Sequence, residues 1–307
     1  MRCMNQFLAT VPFDLYELSL FQLVVKHGGF TKAADVAGLT QSAVTRQVQG
    51  IETALGVKLF ERTTRQVRLT PAGKFLHREA ARLLGDVGQT LDRLAQEFAG
   101  ARKVIRVAVS RTIGLSYLPG FFHADLRKQP QLAYNVTCHS SEKIVSALEA
   151  NELDLGAFCP GSRLPRTLRV THRFEDGFTA IASAEASSGI GNLRKPSARI
   201  DWLKKQNWLL LDERSNTGAL LHAWMRRNGL SVEPTMELDN FDLIINLVAL
   251  GMGVSLVPVR ALALYNQRQK VARVDLPAKF SREIVIAVCK SRDLPKHVEQ
   301  FIENILF

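Results

Sequence analysis

Residues 30–52 constrain this chain more than any other segment, because they predict two short helices joined by a tight turn. Thr31 is expected to cap the first helix, since its hydroxyl can accept a hydrogen bond from an unpaired amide of the first turn. Gly38 stands where a helix ends most easily in a left-handed conformation. Thr40 is expected to cap a second helix over residues 41 to about 50.

The second helix has an apolar face and a polar face. Val44, Val48 and Ile51 are spaced i, i+4 and i+7, which places them on one stripe that can pack on a core. A preceding helix, over residues 13 to 26, completes that core. The polar face can bond base edges in the major groove or phosphate oxygens. An ordinary amphipathic helix pair with a solvated polar face is the alternative.

A basic segment follows the helix pair. Leu59 and Phe60 on one side, and Val67 and Leu69 on the other, bracket a turn at residues 63–66 and predict a two-stranded ribbon, or wing. Its cations are Lys58, Arg62, Arg65 and Arg68, opposed only by Glu61. Such a ribbon beside a recognition helix is suited to phosphates or to the minor groove. A solvated hairpin is the alternative.

Four motifs occur in order in this first quarter of the chain: Phe30-Thr-x-Ala-Ala, Thr40-Gln-Ser-Ala-Val-Thr-Arg-Gln-Val, Leu55-Gly-Val-x-Leu-Phe-x-Arg and Leu69-Thr-Pro-x-Gly. Together they resemble the LysR-type transcriptional regulators. Ser42 and Thr45 stand where that family often has Pro and Ser, and Thr45 keeps the hydroxyl. The predicted DNA-binding residues are Thr31, Gln41, Ser42, Thr45, Arg46, Gln49, Arg62, Arg65 and Arg68.

Length and charge are consistent with DNA binding but do not establish it. A chain of 307 residues with 46% hydrophobic content predicts two or three domains with real cores. Its formal net charge is +11, and residues 43–78 hold seven cations against Glu52 and Glu61. A net positive charge alone is equally consistent with binding to RNA, to a membrane surface or to acidic ligands.

The cysteines Cys3, Cys138, Cys159 and Cys289 lack the paired spacing of a zinc site or redox motif. The last three lie in apolar, strand-like runs and are predicted to be buried small hydrophobes; a thiol sensor is the alternative. No leader-like N-terminal segment or membrane-spanning stretch is predicted, so we expect a cytoplasmic protein.

A long helix is predicted from Thr70, the cap, and Pro71, the first helical residue, to about residue 99. It carries a coiled-coil-like stripe, which needs an apolar partner. The stripe consists of Leu76, Ala80, Leu83, Val87, Leu91, Leu94 and Phe98. Packing on its own domain is one possibility, and a second copy of the helix is the other. The resemblance implies antiparallel pairing of two subunits, hence a homodimer or homotetramer and an operator with approximate two-fold symmetry.

After residues 101–103 the sequence pattern changes to predicted strands alternating with predicted helices, which indicates a parallel α/β sheet. Ligands of such sheets lie beyond the carboxyl ends of the strands. This rule selects Ser110 and Thr112 after the first strand, and His139, Ser140 and Ser141 after the second. Ser140 or Ser141 would also begin a helix, whose free amides favour an anion.

A second α/β unit follows, with the chain expected to cross between units near residues 160–165 and 264–270. Two such lobes resemble the LysR effector domain, which is similar to periplasmic solute-binding proteins and implies a small molecule between the lobes. The effector contacts carried over by position are Ser110, Thr112, Ser140, Ser141, Asn216, Thr217 and Phe241. Neutral donors suit a carboxylate, a hydroxylated metabolite or an aromatic acid, and Arg111, His139 and Arg214 lie near enough to neutralise an anion. For each Ser or Thr, a helix cap is the alternative role.

The predicted fold is α/β: a winged helix-turn-helix domain over residues 1–70, a linker and dimerisation helix over 71–100, and a two-lobed effector domain over 101–307. Lobe I covers about 101–162 and 268–307, and lobe II about 163–267. No catalytic motif or metal-ligand cluster occurs, so neither an enzyme nor a cofactor is predicted. The expected function is transcriptional regulation modulated by an effector, with double-stranded DNA, a second copy and RNA polymerase as partners and no membrane. Two alternative functions account for only part of the chain. A transport-type solute-binding protein would account for the pattern of the second half alone, and an architectural DNA-binding protein for that of the first half alone.

Overall fold

The computed structural model describes residues 12–62, 67–123, 131–187, 196–266, 268–276 and 278–305. The chain divides into two units. The first contains Met1–Ala101 and Ala150–Glu152, and the second contains Arg102–Glu149 and Leu153–Phe307.

The first unit is a helix-turn-helix with a wing and a long helix. Its elements are α1 (Leu15–His27), α2 (Phe30–Ala37), α3 (Gln41–Leu55), β1 (Phe60–Arg62), β2 (Val67–Leu69) and α4 (Pro71–Phe98). Asp14 caps α1 through reciprocal hydrogen bonds with Glu17, and Gly38 ends α2 at a φ of 67°, as predicted. Thr40 caps α3, whose Ala43 amide donates to the Thr40 hydroxyl at 3.2 Å.

The prediction that Thr31 caps α2 is wrong. The helix begins at Phe30, two residues earlier than a cap at Thr31 requires, and the preceding Gly29 provides no side-chain cap. Phe30 is buried against the ring of Phe60, with centroids 5.4 Å apart. Core packing therefore sets the start of this helix, and Thr31 lies exposed in its first turn.

The predicted apolar stripe of α3 lies in the core of this unit. Val44, Val48 and Ile51 are fully buried, together with Phe21 of α1. Helix α3 continues to Leu55, beyond the predicted end near residue 50, because its apolar face is still buried at Ile51.

The predicted wing is an antiparallel ribbon in which Phe60 pairs with Leu69 and Arg62 with Val67. The expected turn at residues 63–66 lies outside the described residues. Thr70 then fastens α4 to the wing: its hydroxyl accepts from the Gly73 amide at 2.9 Å and donates to the Lys58 carbonyl at 2.7 Å.

The stripe of α4 divides along its length. Leu76 packs against the core of the unit and Ala80 is fully buried. The rest of the stripe is exposed, at 46% for Leu83 and 80% for Phe98. The first turns of α4 thus belong to the winged domain, while the later turns present an uncovered apolar face.

The second unit begins with β3 (Val104–Ser110), α5 (Gly114–His123), β4 (Ala133–His139), α6 (Ser141–Glu149), β5 (Leu155–Phe158), β6 (Leu168–Ser183) and α7 (Ala184–Ser187). It continues with α8 (Pro196–Lys204), β7 (Leu209–Leu211), α9 (Asn216–Arg227), β8 (Met236–Leu238), α10 (Phe241–Ala249), β9 (Ser255–Pro258) and α11 (Val259–Leu264). A 3-10 turn (Arg268–Lys270), β10 (Val271–Val274), β11 (Ser281–Cys289) and α12 (Lys296–Glu303) complete it.

The sheet is mixed, whereas the sequence predicted a parallel one. Strand β3 pairs in parallel with β4 and β5, but β11 is antiparallel to both β5 and β6. The difference comes from β6, a 16-residue strand. Its first part pairs with β11, and its last part pairs with β9 and β10.

The two lobes have separate apolar clusters, and strands rather than loops cross between the lobes. Phe174 and Ile284 pack in the cluster of β3 and α12, whereas Phe178 and Phe280 pack in the cluster of β7 and α10. The outward crossing therefore lies in β6 near residue 176, and the return lies at the start of β11. Both come later than the crossings expected near 160–165 and 264–270, because continuous strands carry the chain across.

The cysteines fall into two groups. Cys159 and Cys289 are buried as predicted, whereas Cys138 is exposed on β4, which lies at one edge of the sheet. Cys3 lies outside the described residues. Among the helices that are described, none is both long and apolar enough to cross a membrane.

Candidate DNA-binding surface and effector cleft

Helix α3 presents the predicted polar face to solvent. Gln41, Ser42, Arg46 and Gln49 are exposed, and Thr45 is half-buried between them. Gln41 donates from Nε2 to the Thr45 hydroxyl at 3.0 Å, so these two side chains form one hydrogen-bonding edge. The face offers donors and acceptors of the kinds that base edges and phosphates require.

A carboxylate fastens the wing to this recognition helix. Glu52, buried on the inner face of α3, accepts from the amides of Leu59 at 2.8 Å and Phe60 at 3.3 Å, and pairs with Lys58 at 3.0 Å. Burial by itself would raise the pKa of Glu52, but these hydrogen bonds and the Lys58 charge hold it below its ordinary value. Sequence reasoning counted Glu52 only as an acidic residue; the available signal was its place directly after the core residue Ile51.

The structure describes the predicted wing cations only in part. Arg68 is exposed on β2, opposite Glu61 of β1. Arg62 belongs to β1, but its side chain lies outside the described residues, and so does the whole of Arg65.

In the second unit, a cavity of about 190 Å³ opens at the carboxyl ends of β3 and β4 and at the first turns of α6 and α9. It brings together most of the residues selected from the sequence. The lining consists of Ser110, Arg111, Thr112, His139, Ser140, Ser141, Glu142, Asp212, Arg214, Ser215, Asn216, Thr217 and Asp239. Phe241 is the predicted contact that is not part of this lining.

Two helix N-termini meet at the cavity. The Ser140 hydroxyl accepts from the Lys143 amide at 3.3 Å at the start of α6. The Ser215 hydroxyl accepts from the Gly218 amide at 3.0 Å and donates to the Asp212 carbonyl at 2.9 Å, which closes the turn into α9. Both helices direct the positive ends of their dipoles towards one small space, an arrangement that favours an anionic group.

Both arginines of the cavity lining are already paired with carboxylates, and Glu142 adds a further carboxylate to the lining. Arg111 contacts Asp239 at 3.0 Å, and Arg214 contacts Asp212 at 2.7 Å. Desolvation, aided by Lys143 and Arg111, lowers the pKa of His139 and favours its neutral form. The charge compensation expected from Arg111, His139 and Arg214 is therefore reduced.

A buried arginine lies behind the lining. Arg282 of β11 donates from Nη1 to the hydroxyls of Thr112 at 2.9 Å and Thr217 at 2.8 Å, and from Nε to Asp176 at 3.0 Å. Phe241 packs here, with its ring centroid 5.5 Å from the guanidinium carbon, which explains why it does not reach the cavity. Sequence reasoning missed Arg282, although a cation beside the apolar run of β11 was a usable signal.

Burial also affects two groups near this arginine. It raises the pKa of the Cys159 thiol, against the opposing influence of Arg282 and Thr217, so the thiolate that a redox sensor needs is disfavoured. Burial, together with Asp176, raises the pKa of the Tyr117 phenol. In the described part of the chain, no group of three or more His, Cys, Asp or Glu side chains is placed to hold a metal.

Two family models cover the two units. Residues 98–306 match the LysR substrate binding domain, and residues 15–74 match the bacterial regulatory helix-turn-helix protein of the lysR family. The chain belongs to the LysR family. It is a LysR-type transcriptional regulator with a helix-turn-helix DNA-binding domain and an effector-binding domain.

Relatives of similar length support this assignment. The chain is 28% identical to a probable RuBisCO transcriptional regulator of Cyanidioschyzon merolae, over 96% of this chain and 98% of that protein. It is 28% identical to the HTH-type transcriptional regulator BenM of Acinetobacter baylyi, over 82% and 83% of the two chains. These LysR relatives are transcriptional regulators and not enzymes.

Solved structures show the same fold. Full-length CbnR in complex with its target DNA is 21% identical, with a TM-score of 0.65 over 95% of this chain and 99% of that chain. A full-length OxyR variant from Pseudomonas aeruginosa is 22% identical, with a TM-score of 0.65 over 95% and 94%.

Proposed function

We propose that this regulator binds a small acidic effector in the cleft between its lobes and that the bound effector changes how a dimer or tetramer of the chain engages its operator. The observation that carries the proposal is the meeting of two helix N-termini and a set of hydroxyls at one cavity of the second unit.

The chemistry of the cavity favours an acid. The hydroxyls of Ser110, Thr112, Ser140 and Thr217 line the cavity, and the helix N-termini stabilise negative charge. Its 190 Å³ is below the roughly 300–1,000 Å³ of pockets for drug-sized ligands. A small carboxylate or a compact aromatic acid meets both conditions.

On the DNA side, α3 enters the major groove with Gln41, Ser42, Thr45, Arg46 and Gln49, and the wing contacts phosphates or the minor groove. Thr31 is exposed in the first turn of α2, the helix that precedes the recognition helix, and is suited to a phosphate contact. Two such heads in one dimer require an operator with approximate two-fold symmetry.

The oligomer forms through α4. An exposed apolar stripe of this length is costly in water and is suited to pairing with the same helix of a second copy. The stripe comprises Leu83, Val87, Leu91, Leu94 and Phe98, and it continues from the partly buried Leu76 and the buried Ala80. Further pairing gives a tetramer, and RNA polymerase is the proposed partner at activated promoters.

The response follows from population shift. An effector that binds one arrangement of the lobes more tightly than another shifts the equilibrium by that difference in affinity and no more. The altered lobe arrangement changes how subunits pack, and hence the spacing and bend imposed on DNA.

A thermal-shift screen of small carboxylates and aromatic acids tests the cleft. We expect at least one acid to raise the Tm of the wild type, and the double variant Ser110→Ala with Ser140→Ala to lose that shift. Ser146→Ala is the matched control, because its hydroxyl donates to the Glu142 carbonyl within α6, outside the cavity lining. An acid that stabilises the double variant as strongly as the wild type contradicts the assignment.

A further inference from the structure

A second cavity adjoins the effector cleft. It has a volume of about 300 Å³ and lies between α6 and the segment that follows β5. Ser141, Glu142 and Asn216 line both the cleft and this second space, which we call the side cavity. The two spaces therefore meet at the first turns of α6 and α9.

The side cavity differs from the cleft in chemistry. Much of its lining is apolar and consists of Val145, Phe158, Leu164 and Pro165. Val145 and Leu164 are only partly buried against the apolar cluster that contains Phe158, so they keep apolar surface that a ligand can cover. The Ser146 hydroxyl donates to the Glu142 carbonyl at 3.0 Å, so Ser146→Ala leaves this lining apolar.

The charges around the side cavity favour neither sign. Its two charged lining residues, Glu142 and Arg163, are both exposed and carry opposite charges. The caps of α6 and α9, Ser140 and Ser215, line the cleft and not the side cavity, so the anion-binding helix ends serve the cleft. A ligand that occupies both spaces is therefore best matched when it is acidic at one end and apolar at the other.

Asn216 lies where the two spaces meet. Its Nδ2 donates to the Cys159 carbonyl at 3.0 Å, which holds the side chain against the segment after β5. Gly161 lies beside this amide: a Cβ at that position would be 3.7 Å from both the amide nitrogen and the amide oxygen. Because Gly161 has no side chain, room remains beside Asn216, and its φ lies outside the left-handed region, so the backbone permits a larger residue.

We propose that the cleft and the side cavity form one effector site and that the effector is an acid with a hydrocarbon tail. Its carboxylate lies in the cleft at the helix N-termini, and its tail passes Asn216 and packs against Val145, Phe158 and Leu164. This inference rests on the proposed function of the cleft, whose volume then limits only the part of the effector nearest the carboxylate. Pockets for small molecules have volumes of roughly 300–1,000 Å³, a range that the two spaces reach together.

Calorimetry on the full-length chain with acetate, butyrate, hexanoate and octanoate tests the proposal. Each methylene group that leaves water should raise the affinity about fourfold, so hexanoate should bind at least tenfold more tightly than butyrate. Gly161→Leu places a branched side chain beside Asn216. We expect this variant to lower the affinity for hexanoate at least tenfold and to bind acetate as the wild type does.

Gly177→Leu is the matched control. Gly177 is exposed on β6 and outside both linings. Among the described residues, its chain neighbours aside, no atom lies within 4 Å of a Cβ placed there. This variant should keep the wild-type affinities for all four acids.

A second variant covers the case in which Gly161→Leu does not fold. Leu164→Ser replaces an apolar wall of the side cavity with a hydroxyl and leaves the lining of the cleft unchanged. It should reduce the gain in affinity from butyrate to hexanoate at least threefold and leave acetate binding as in the wild type.

The outcomes separate this inference from the proposed function. A wild type that binds none of the four acids overturns the inference and leaves the cleft to the broader thermal-shift screen. A wild type that binds acetate or butyrate but gains nothing from added methylene groups overturns the side cavity alone. So does a Gly161→Leu variant that keeps the wild-type gain, or adipate binding more tightly than hexanoate, since a second carboxylate is poorly matched to an apolar space. A gain that both variants lose and Gly177→Leu keeps supports the proposal.

Discussion

At the scale of single residues, buried polar side chains connect the elements that carry function. Glu52 joins the recognition helix to the wing, and Arg282 joins the two walls of the cleft. Each is buried and fully engaged, so removing one partner leaves another buried polar group without its bond, which costs more than the bond itself contributes.

Glu52→Gln should lower the free energy of unfolding by about 1–3 kcal/mol at neutral pH, since a hydrogen-bonded buried charge is lost. The pKa of Glu52 is held below its ordinary value of 4.5, so its contribution is present above that pH and disappears as pH falls through the lowered pKa. Chemical denaturation across pH should show the wild type and the variant converging in acid. Glu61→Gln, exposed on β1, is the control; a stability difference that persists unchanged in acid contradicts this role.

Arg46→Ala should weaken binding to the operator more than binding to random DNA, by about 1–3 kcal/mol in discrimination, if its guanidinium contacts a base edge. Fluorescence anisotropy at one fixed salt concentration measures both affinities. Arg227→Ala removes an exposed cation from the second unit and should leave the ratio of operator affinity to random-DNA affinity unchanged. Equal weakening on both DNAs would assign Arg46 to phosphate contact only.

At the scale of elements, α4 has two roles along one stripe. Its first turns pack in the winged domain through Leu76, and its later turns expose Leu83, Val87 and the residues beyond them. A helix of 28 residues reaches well past its own domain, so its uncovered part is available for a partner.

Leu83→Glu with Val87→Glu should abolish dimers and operator binding together, because paired charges in an apolar seam are not compensated. Sedimentation velocity and anisotropy provide the two readouts. Leu250→Glu is the control, since Leu250 is exposed to 72% on the second unit and not on α4. An unchanged dimer in the double variant contradicts the proposed seam.

The helices whose position follows from a local sequence pattern could be predicted from the sequence. The periodicity of Val44, Val48 and Ile51 and the cap at Thr40 identified α3, and Thr70 with Pro71 identified the start of α4. Strand β6 was not predicted over its first half, because the residues before Phe178 are mostly polar. That half is a strand because it pairs with β11, more than a hundred residues later in the chain.

At the scale of the whole molecule, the carboxyl-end rule for parallel strands located Ser110, Thr112, Ser140 and Ser141 at one cavity from sequence alone. Positional resemblance added Asn216 and Thr217, which line it, and Phe241, which lies behind Arg282. The pairing of Asp176 with Arg282 could not be predicted from the sequence, because it depends on two strands crossing between lobes. The residues that touch the cavity follow local rules, and those that orient them depend on the tertiary fold.

The central claim is that the cleft controls DNA binding without taking part in it. The most direct measurement is operator affinity by anisotropy, with and without the acid that most stabilises the wild type, for the wild type, for Ser110→Ala with Ser140→Ala, and for the Ser146→Ala control. We predict that all three bind the operator equally without the acid and that only the double variant fails to change its affinity or footprint when the acid is added. A double variant that responds to the acid as the wild type does would contradict the account.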